Sequence, residues 1–149
     1  MLQFKYSSAI DAPVEVVWKF HERADVLQLL TPPWQPVQVI RREGGLSIGA
    51  ITEFRLYLGP LPLTWLARHT ECEPYKSFTD QQISGPFEHW THQHKFESED
   101  GKTRLTDEIC FVMPGGEPVE FVSGWLVQMQ LDAMFRYRHE VTKKECESK

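Results

Sequence analysis

The stretch from Glu88 to Met113, EHWTHQHKFESEDGKTRLTDEICFVM, predicts two antiparallel strands joined by a tight turn. Apolar and polar side chains alternate on both sides of Asp100-Gly101, which is the period of a half-buried strand. Asp-Gly is typical of a two-residue hairpin loop, because both positions tolerate a positive φ. Such a loop pairs Glu99 with Lys102 and thereby fixes the register of the whole hairpin.

This register decides which side chains of the two strands meet. The facing pairs are Phe96 with Leu105, His94 with Asp107, His92 with Ile109, and Trp90 with Phe111. Alternation places the four residues of the first strand on one face. The aromatic rings at both ends of that set predict that this face, with its two histidines, points into the protein. A one-residue bulge would overturn the register.

The segments around the hairpin predict an α+β protein with one curved antiparallel sheet of six to seven strands. Further strands are expected near residues 3–10, 37–42, 51–58, 63–72 and 77–83. Two short helices are expected after the first strand, and one long helix over about 118–144 follows Pro114-Gly115-Gly116. Helices segregated to one side of an antiparallel sheet define the α+β class. The length fits a single domain over 1–149.

Composition argues against several classes of protein. The net charge is -5 and the basic residues are scattered, so no basic stripe is available for nucleic acid. Cys72, Cys110 and Cys146 match neither a disulfide framework nor a zinc motif. No window is apolar enough to span a bilayer, and the N-terminus has no secretory signal pattern. We therefore expect a cytoplasmic protein without stable membrane insertion.

Two sets of residues resemble a known protein family. One is Ile10-Asp11-Ala12-Pro13 followed by Val14, Val17 and Trp18; the other is Gly85-Pro86-Phe87, Trp90, His92, His94, Phe96, Gly101, Thr103, Leu105, Thr106, Asp107 and Pro114. They are similar to START-like domains and the birch pollen allergen superfamily (SRPBCC). The second set resembles its bacterial polyketide cyclase/dehydrase branch, whose members also occur fused to nucleotide-sugar epimerase-like domains. The resemblance implies a helix-grip fold with a cavity between the sheet and the C-terminal helix, entered near the two short helices.

A cavity of this kind predicts binding of a small hydrophobic ligand, such as a lipid, an isoprenoid or a polyketide-like aromatic. At about 100° per residue, Trp125, Met129 and Ala133 share one face of the long helix, which we expect to close the cavity. The predicted ligand-binding residues are Phe54, Trp65, Trp90, His92, His94, Phe96, Asp107, Ile109, Phe111, Trp125, Met129 and Ala133. Plain core packing explains each of the helix residues equally well.

His94 and Asp107 are the one predicted pair with chemistry in it. A carboxylate opposite an imidazole could orient it for acid–base work, as a cyclase- or dehydratase-like enzyme would need. The pair could equally satisfy itself or hold a ligand's polar group, and we favour this non-catalytic interpretation with no cofactor. His92, His94 and Asp107 also have the residue types of a metal site, but we expect no metal because no second carboxylate is placed beside them.

The long helix carries more apolar residues than one buried face needs. Val127, Leu131, Met134 and Phe135 fall outside the face predicted to close the cavity. An outward apolar surface of this kind would suit a homodimer or a partner protein, which makes an interaction or regulatory module a further hypothesis. Packing inside the same chain explains these residues equally well.

Overall fold

The computed structural model describes residues 1–58 and 60–147. Within that range the strands are β1 (Leu2–Ile10), β2 (Val37–Glu43), β3 (Ile51–Leu58), β4 (Leu61–Glu73), β5 (Ser77–Ser84), β6 (His89–Glu99) and β7 (Lys102–Val112). The helices are α1 (Val14–Glu22), α2 (Val26–Leu30) and α3 (Glu117–Cys146). The predicted α+β order of strand, two short helices, a run of strands and one long helix is confirmed.

One antiparallel sheet contains all these strands, in the order β1-β7-β6-β5-β4-β3-β2. The predicted register of the hairpin is confirmed, because Glu99 pairs with Lys102 and His94 with Asp107 without a bulge. The turn residues Asp100 and Gly101 have φ values of 52° and 80°, as a two-residue hairpin loop requires. Strand β1 pairs with the edge of β7 that is not paired with β6. The first strand of the chain therefore lies beside the hairpin that positions the candidate site.

Helix α3 lies along the sheet, and the face that it turns to the sheet is opposite to the one predicted. Its buried residues are Gly124, Leu131, Phe135, His139, Thr142 and Cys146. Trp125 and Met129 are 62% and 60% exposed, and Ala133 is exposed as well. The prediction that these three residues close a cavity is therefore wrong. For Leu131 and Phe135, packing inside the same chain is confirmed and an outer surface is wrong.

The physical reason for this error is that the first half of α3 is apolar on nearly every side, so hydrophobic periodicity does not choose a face. Two features outside that pattern choose it. Gly124 lies against β1, where an added Cβ would stand 2.7 Å from Leu2 Cδ1. His139 is drawn inward by a carboxylate in the sheet. The surplus apolar surface exists, but it consists of Phe121, Val122, Trp125, Leu126 and Met129.

The buried core has two parts, separated by polar side chains. The part next to α1 contains Ile10, Trp18, Phe96 and Leu105. The other part, beneath α3, contains Trp65, Trp90, Phe111, Leu131 and Phe135. None of the helices among the described residues is long and apolar enough to cross a membrane.

Candidate functional site

The centre of the candidate site is the carboxylate of Asp107, which points from β7 into the protein. Its Oδ1 accepts hydrogen bonds from His92 Nε2 at 2.7 Å and from His94 Nδ1 at 3.2 Å. Its Oδ2 accepts a hydrogen bond from His139 Nε2 of α3 at 2.7 Å. Burial alone would raise the pKa of Asp107, but the hydrogen bonds from the three histidines outweigh burial and hold the pKa well below its usual value. A buried carboxylate is thus kept ionised.

His94 is bonded to carboxylates on both sides of its ring. Its Nδ1 donates to Asp107, and its Nε2 donates to Asp80 Oδ2 of β5 at 2.9 Å. Burial would lower the pKa of His94, but the hydrogen bonds to Asp107 and Asp80 raise it to about 9. Since carboxylates only accept hydrogen bonds, both ring nitrogens must carry protons, and His94 is an imidazolium near neutral pH.

His92 stacks on His94 and has a different charge state. The two ring centroids are 3.7 Å apart, with 25° between the planes. Burial lowers the pKa of His92, and the charge of His94 lowers it further. His92 is therefore neutral, and the proton it holds is on Nε2, where it is donated to Asp107. One charged and one neutral imidazole thus share the same carboxylate oxygen.

His139 links this cluster to β1. Its Nε2 donates to Asp107, and its Nδ1 shares a hydrogen bond of 2.6 Å with Ser8 Oγ. The ring of Tyr6 meets the His139 ring edge-on, with centroids 4.7 Å apart. Buried polar groups are stable only when their hydrogen bonds are made. This chain of contacts therefore fixes the face that α3 turns to the sheet.

An aromatic surface continues from the cluster along the inner face of the sheet. Trp65 stacks on Phe54 at 5.6 Å and meets Trp90 edge-on at 5.0 Å. Phe87 contacts both tryptophans. Trp65 and Trp90 are buried, whereas Phe54 is half-buried. The inner face thus passes from a closed aromatic core to partly exposed apolar side chains on β3.

Comparison with known proteins assigns the family. The model of the family described as polyketide cyclase/dehydrase and lipid transport matches residues 10–135. The chain belongs to this family. No curated protein matches the sequence.

Solved structures share the fold of this polyketide cyclase/dehydrase family member. A protein from Thermus thermophilus has a TM-score of 0.75 at 15% identity, covering 97% of this chain and 96% of its own. The Zhui aromatase/cyclase from a Streptomyces species has a TM-score of 0.65 at 16% identity, covering 97% and 90%. A nucleoside-diphosphate sugar epimerase from Corynebacterium glutamicum has a TM-score of 0.71 at 28% identity over 97% of this chain. The chain spans only 28% of that epimerase.

The structure brings the predicted pair of this family member together and adds partners that the sequence did not indicate. His94 does bind Asp107, but His92 binds the same oxygen more closely. Asp80 and His139 were missed. Alternation along β5 could have placed Asp80 inward opposite His92, whereas the apolar pattern of α3 does not indicate that His139 faces the sheet.

The other predicted ligand residues lie in different surroundings. Phe54 is half-buried on the inner face. Trp65, Trp90, Ile109 and Phe111 pack on one another in the core beneath α3, and Phe96 packs against Trp18 in the core next to α1. Ligand contact by these residues stays a prediction.

One side of the interior is less tightly covered than the other. The side chains of His94 and Asp80 keep 13% and 18% of their exposure, whereas Asp107 keeps 7%. Phe54 and Leu56 of β3, which face inward with them, are also half-buried. Trp34, from the segment after α2, reaches Tyr137 of α3 at 5.5 Å between ring centroids. The charged cluster and the inner side of β3 thus each keep part of their exposure.

Asp80, His92 and His94 include the residue types of a metal site, and one ligand atom from each lies within 4.8 Å of the others. Both nitrogens of His94 already donate to carboxylates. A metal ion would have to displace a proton from His94 and break one of these hydrogen bonds. In the structure these three side chains therefore form a hydrogen-bonded cluster in which protons occupy the positions that a metal ion would need.

A groove of about 760 Å³ lies elsewhere, at the rim of β5 and β6. Its lining includes Tyr75, Lys76 and Lys95. Lys95 follows His94 on β6 and therefore points to the other face of the sheet. Phe96 also lines this groove, whereas the other predicted ligand-binding residues do not.

Proposed function

We propose that this chain binds a small molecule with an apolar body and a polar end in the interior between β3, β5 and α3. The observation that carries the proposal is that the inner face of the sheet keeps partly exposed groups of both kinds: the polar pair of Asp80 and His94, and the apolar side chains of Phe54 and Leu56 on β3. Binding sites for small molecules typically combine apolar walls with a few fixed polar groups.

A ligand with an apolar body and a polar end would complement both kinds of surface on the inner face of the sheet. Half-buried apolar side chains gain free energy when a ligand removes them from water, at about 25 cal/mol per Å² of apolar area. The His94–Asp80 pair is already hydrogen-bonded, so a ligand would find a polar region that needs little rearrangement. The body of the ligand therefore lies along β3, and its polar end lies toward the charged cluster.

The family supports a hydrophobic ligand but not a particular one. Its description names both polyketide cyclases and lipid transport. A lipid, an isoprenoid or a polyketide-like aromatic would each present the required apolar body. We propose carriage or sequestration of such a molecule as the function, because binding accounts for the observed surfaces without a reaction.

The test is a titration with Nile red, a neutral hydrophobic dye, combined with native mass spectrometry of freshly purified protein. We expect one dye molecule to bind per chain, and a co-purified small molecule, where retained, to be displaced by the dye. Leu56→Gln places a polar group on the half-buried inner face and should weaken dye binding roughly tenfold, since burying an unpaired amide costs on the order of 1–3 kcal/mol.

Arg55→Gln is the matched control, because Arg55 precedes Leu56 and points to the other face of β3. Its side chain bonds Gln38 on the outer surface. Dye affinity in Arg55→Gln should equal that of the wild type. The absence of saturable binding, or equal losses in both variants, would contradict the proposal.

A second candidate function is acid catalysis, and the observation that favours it is the partly exposed imidazolium of His94. As a general acid it would donate a proton to the leaving hydroxyl of a β-hydroxy ketone while solvent water takes up the α proton, so that the C–O bond breaks, water leaves and the C=C bond of the enone forms. The substrate to test is 4-hydroxy-4-phenylbutan-2-one, whose enone product absorbs in the ultraviolet. The catalysed rate should fall as the pH rises through about 9 and vanish in His94→Gln.

The control for this test is His89→Gln on the same strand. His89 bonds Thr91 Oγ1 on the outer face of β6, so its loss should leave the rate unchanged. Dye binding without any dehydration by the wild type would leave the carrier function and eliminate this catalytic one.

A further inference from the structure

Arg138 is a cation of α3 near the candidate site that forms no hydrogen bond with the site residues. It lies on the sheet-facing side of α3, between Phe135 and Thr142 at helical spacing. Its guanidinium carbon stands 5.2 Å from the centre of the Phe135 ring. Burial lowers the pKa of Arg138, and the charges of Asp107 and Asp80 act in the opposite direction. Both carboxylates of the site are therefore its electrostatic neighbours.

Arg138 as a whole is half-buried, and its guanidinium has no hydrogen-bond partner in the described part of the chain. Its Nε is buried and unpaired, and neither Asp107 nor Asp80 forms an ion pair with it, because both are bonded to histidines. An unpaired buried donor is costly, and a charged one more so. The planar guanidinium is well suited to bind a carboxylate or a phosphate.

The hydrogen-bond donors that remain free at the polar end of the interior indicate the kind of group that would pair with Arg138. His94 donates from both ring nitrogens to carboxylates, and His139 is bonded at both of its nitrogens. Arg138 therefore holds the free strong donors. A ligand group that meets it must accept hydrogen bonds, and a planar carboxylate matches the fork of a guanidinium.

We propose that Arg138 binds the carboxylate of a hydrophobic acid whose apolar body lies along β3. This inference rests on the proposed binding function and narrows it to one class of ligand. The positive charges of Arg138 and His94 balance the negative charges of Asp80 and Asp107. A ligand carboxylate therefore gains no net attraction from the cluster and is held by direct hydrogen bonds to Arg138. A neutral ligand of the same shape would leave the guanidinium unpaired.

The experiment compares 2-naphthoic acid with 2-naphthamide, its uncharged counterpart of the same shape, as competitors of bound Nile red at pH 7.5. In the wild type we expect the acid to bind at least roughly tenfold more tightly, as charge-assisted hydrogen bonds provide. Arg138→Gln should remove this preference while leaving the affinity for the amide unchanged. Arg138→Lys should retain part of it, because lysine keeps the charge but not the fork.

Arg136→Gln is the matched control, since Arg136 is exposed on the same helix and bonds Asp132. It should keep the full preference for the acid. Circular dichroism should show that Arg138→Gln is folded, because the substitution removes no hydrogen bond of the guanidinium. Equal binding of acid and amide by the wild type, or an undiminished preference in Arg138→Gln, would overturn the inference while the dye titration still stands. Failure of the dye itself to bind would overturn the proposed function as well.

Discussion

At the scale of single residues, Asp107 organises the interior because it is the acceptor for three imidazoles from β6 and α3. A buried carboxylate without partners would take up a proton. Here it instead fixes the proton positions of His92, His94 and His139. The charge state of the cluster thus depends on this carboxylate and, at His94, also on Asp80.

Replacing Asp107 by Asn is expected to destabilise the protein by about 3–5 kcal/mol, the usual cost of breaking a buried charge pair by removing one partner. The amide loses the charge that holds the His94 imidazolium and offers only one acceptor oxygen. Urea unfolding at pH 7 measures the effect.

Glu108→Gln is the control for Asp107→Asn. Glu108 is the next residue of β7, and its partly exposed side chain forms ion pairs with Lys5 and Lys95 on the outer face. Surface pairs of this kind contribute about 0–1 kcal/mol. A loss in Asp107→Asn no larger than in Glu108→Gln would show that the cluster does not stabilise the fold.

Protonation of His94 makes the protein more stable at lower pH than at higher pH. Its pKa is about 9 in the folded protein and 6.5 in the unfolded chain. Its contribution is therefore fully present below pH 6.5 and is lost as the pH rises through 9, because the native state holds the extra proton. The free energy of unfolding should fall between pH 7 and 9 by up to about 1.4 kcal/mol per unit from this group.

His94→Gln removes this titration and should flatten the stability curve between pH 7 and 9, although the variant is less stable at pH 7. His89→Gln keeps the wild-type slope, since His89 lies on the outer face. Urea unfolding at several pH values gives the curves. Parallel curves for the wild type and His94→Gln would mean that His94 is not protonated in the folded state.

At the scale of elements, the β6–β7 hairpin could be predicted from sequence because a local turn sets its register. Asp100-Gly101 accepts positive φ values at both positions, and every facing pair then follows from the alternation of side chains. Helix α3 could not be oriented in this way. Its buried face depends on Gly124 against Leu2 and on His139 against Asp107, which are contacts between distant parts of the chain.

The orientation of α3 gives a prediction that separates its two apolar faces. Phe135→Ala should cost about 3–5 kcal/mol because it leaves a cavity beneath the helix. Trp125→Ala should change the free energy of unfolding by less than about 0.5 kcal/mol, because the indole is on the surface. Urea unfolding of the two variants is the measurement. The reverse order of losses would restore the face predicted from periodicity.

At the scale of the whole molecule, the site is assembled from strands and a helix that are far apart in sequence. The sequence indicated that His94 and Asp107 face each other, since both belong to one hairpin. Asp80, His139 and Arg138 could not be placed, because each enters through the pairing of another strand or the rotation of α3. The interior is consequently more highly charged than an apolar cavity with a single polar pair.

The central claim, that a hydrophobic molecule binds between the sheet and α3, is tested most directly by NMR of protein labelled at its methionine methyl groups. Met134 packs partly buried against the core beneath α3, whereas Met129 is 60% exposed on the opposite face of the same helix. On titration with Nile red, the Met134 signal should shift saturably while the Met129 signal stays in place. A shift of Met129 with an unchanged Met134 would place the dye on the outside of α3 and contradict the account.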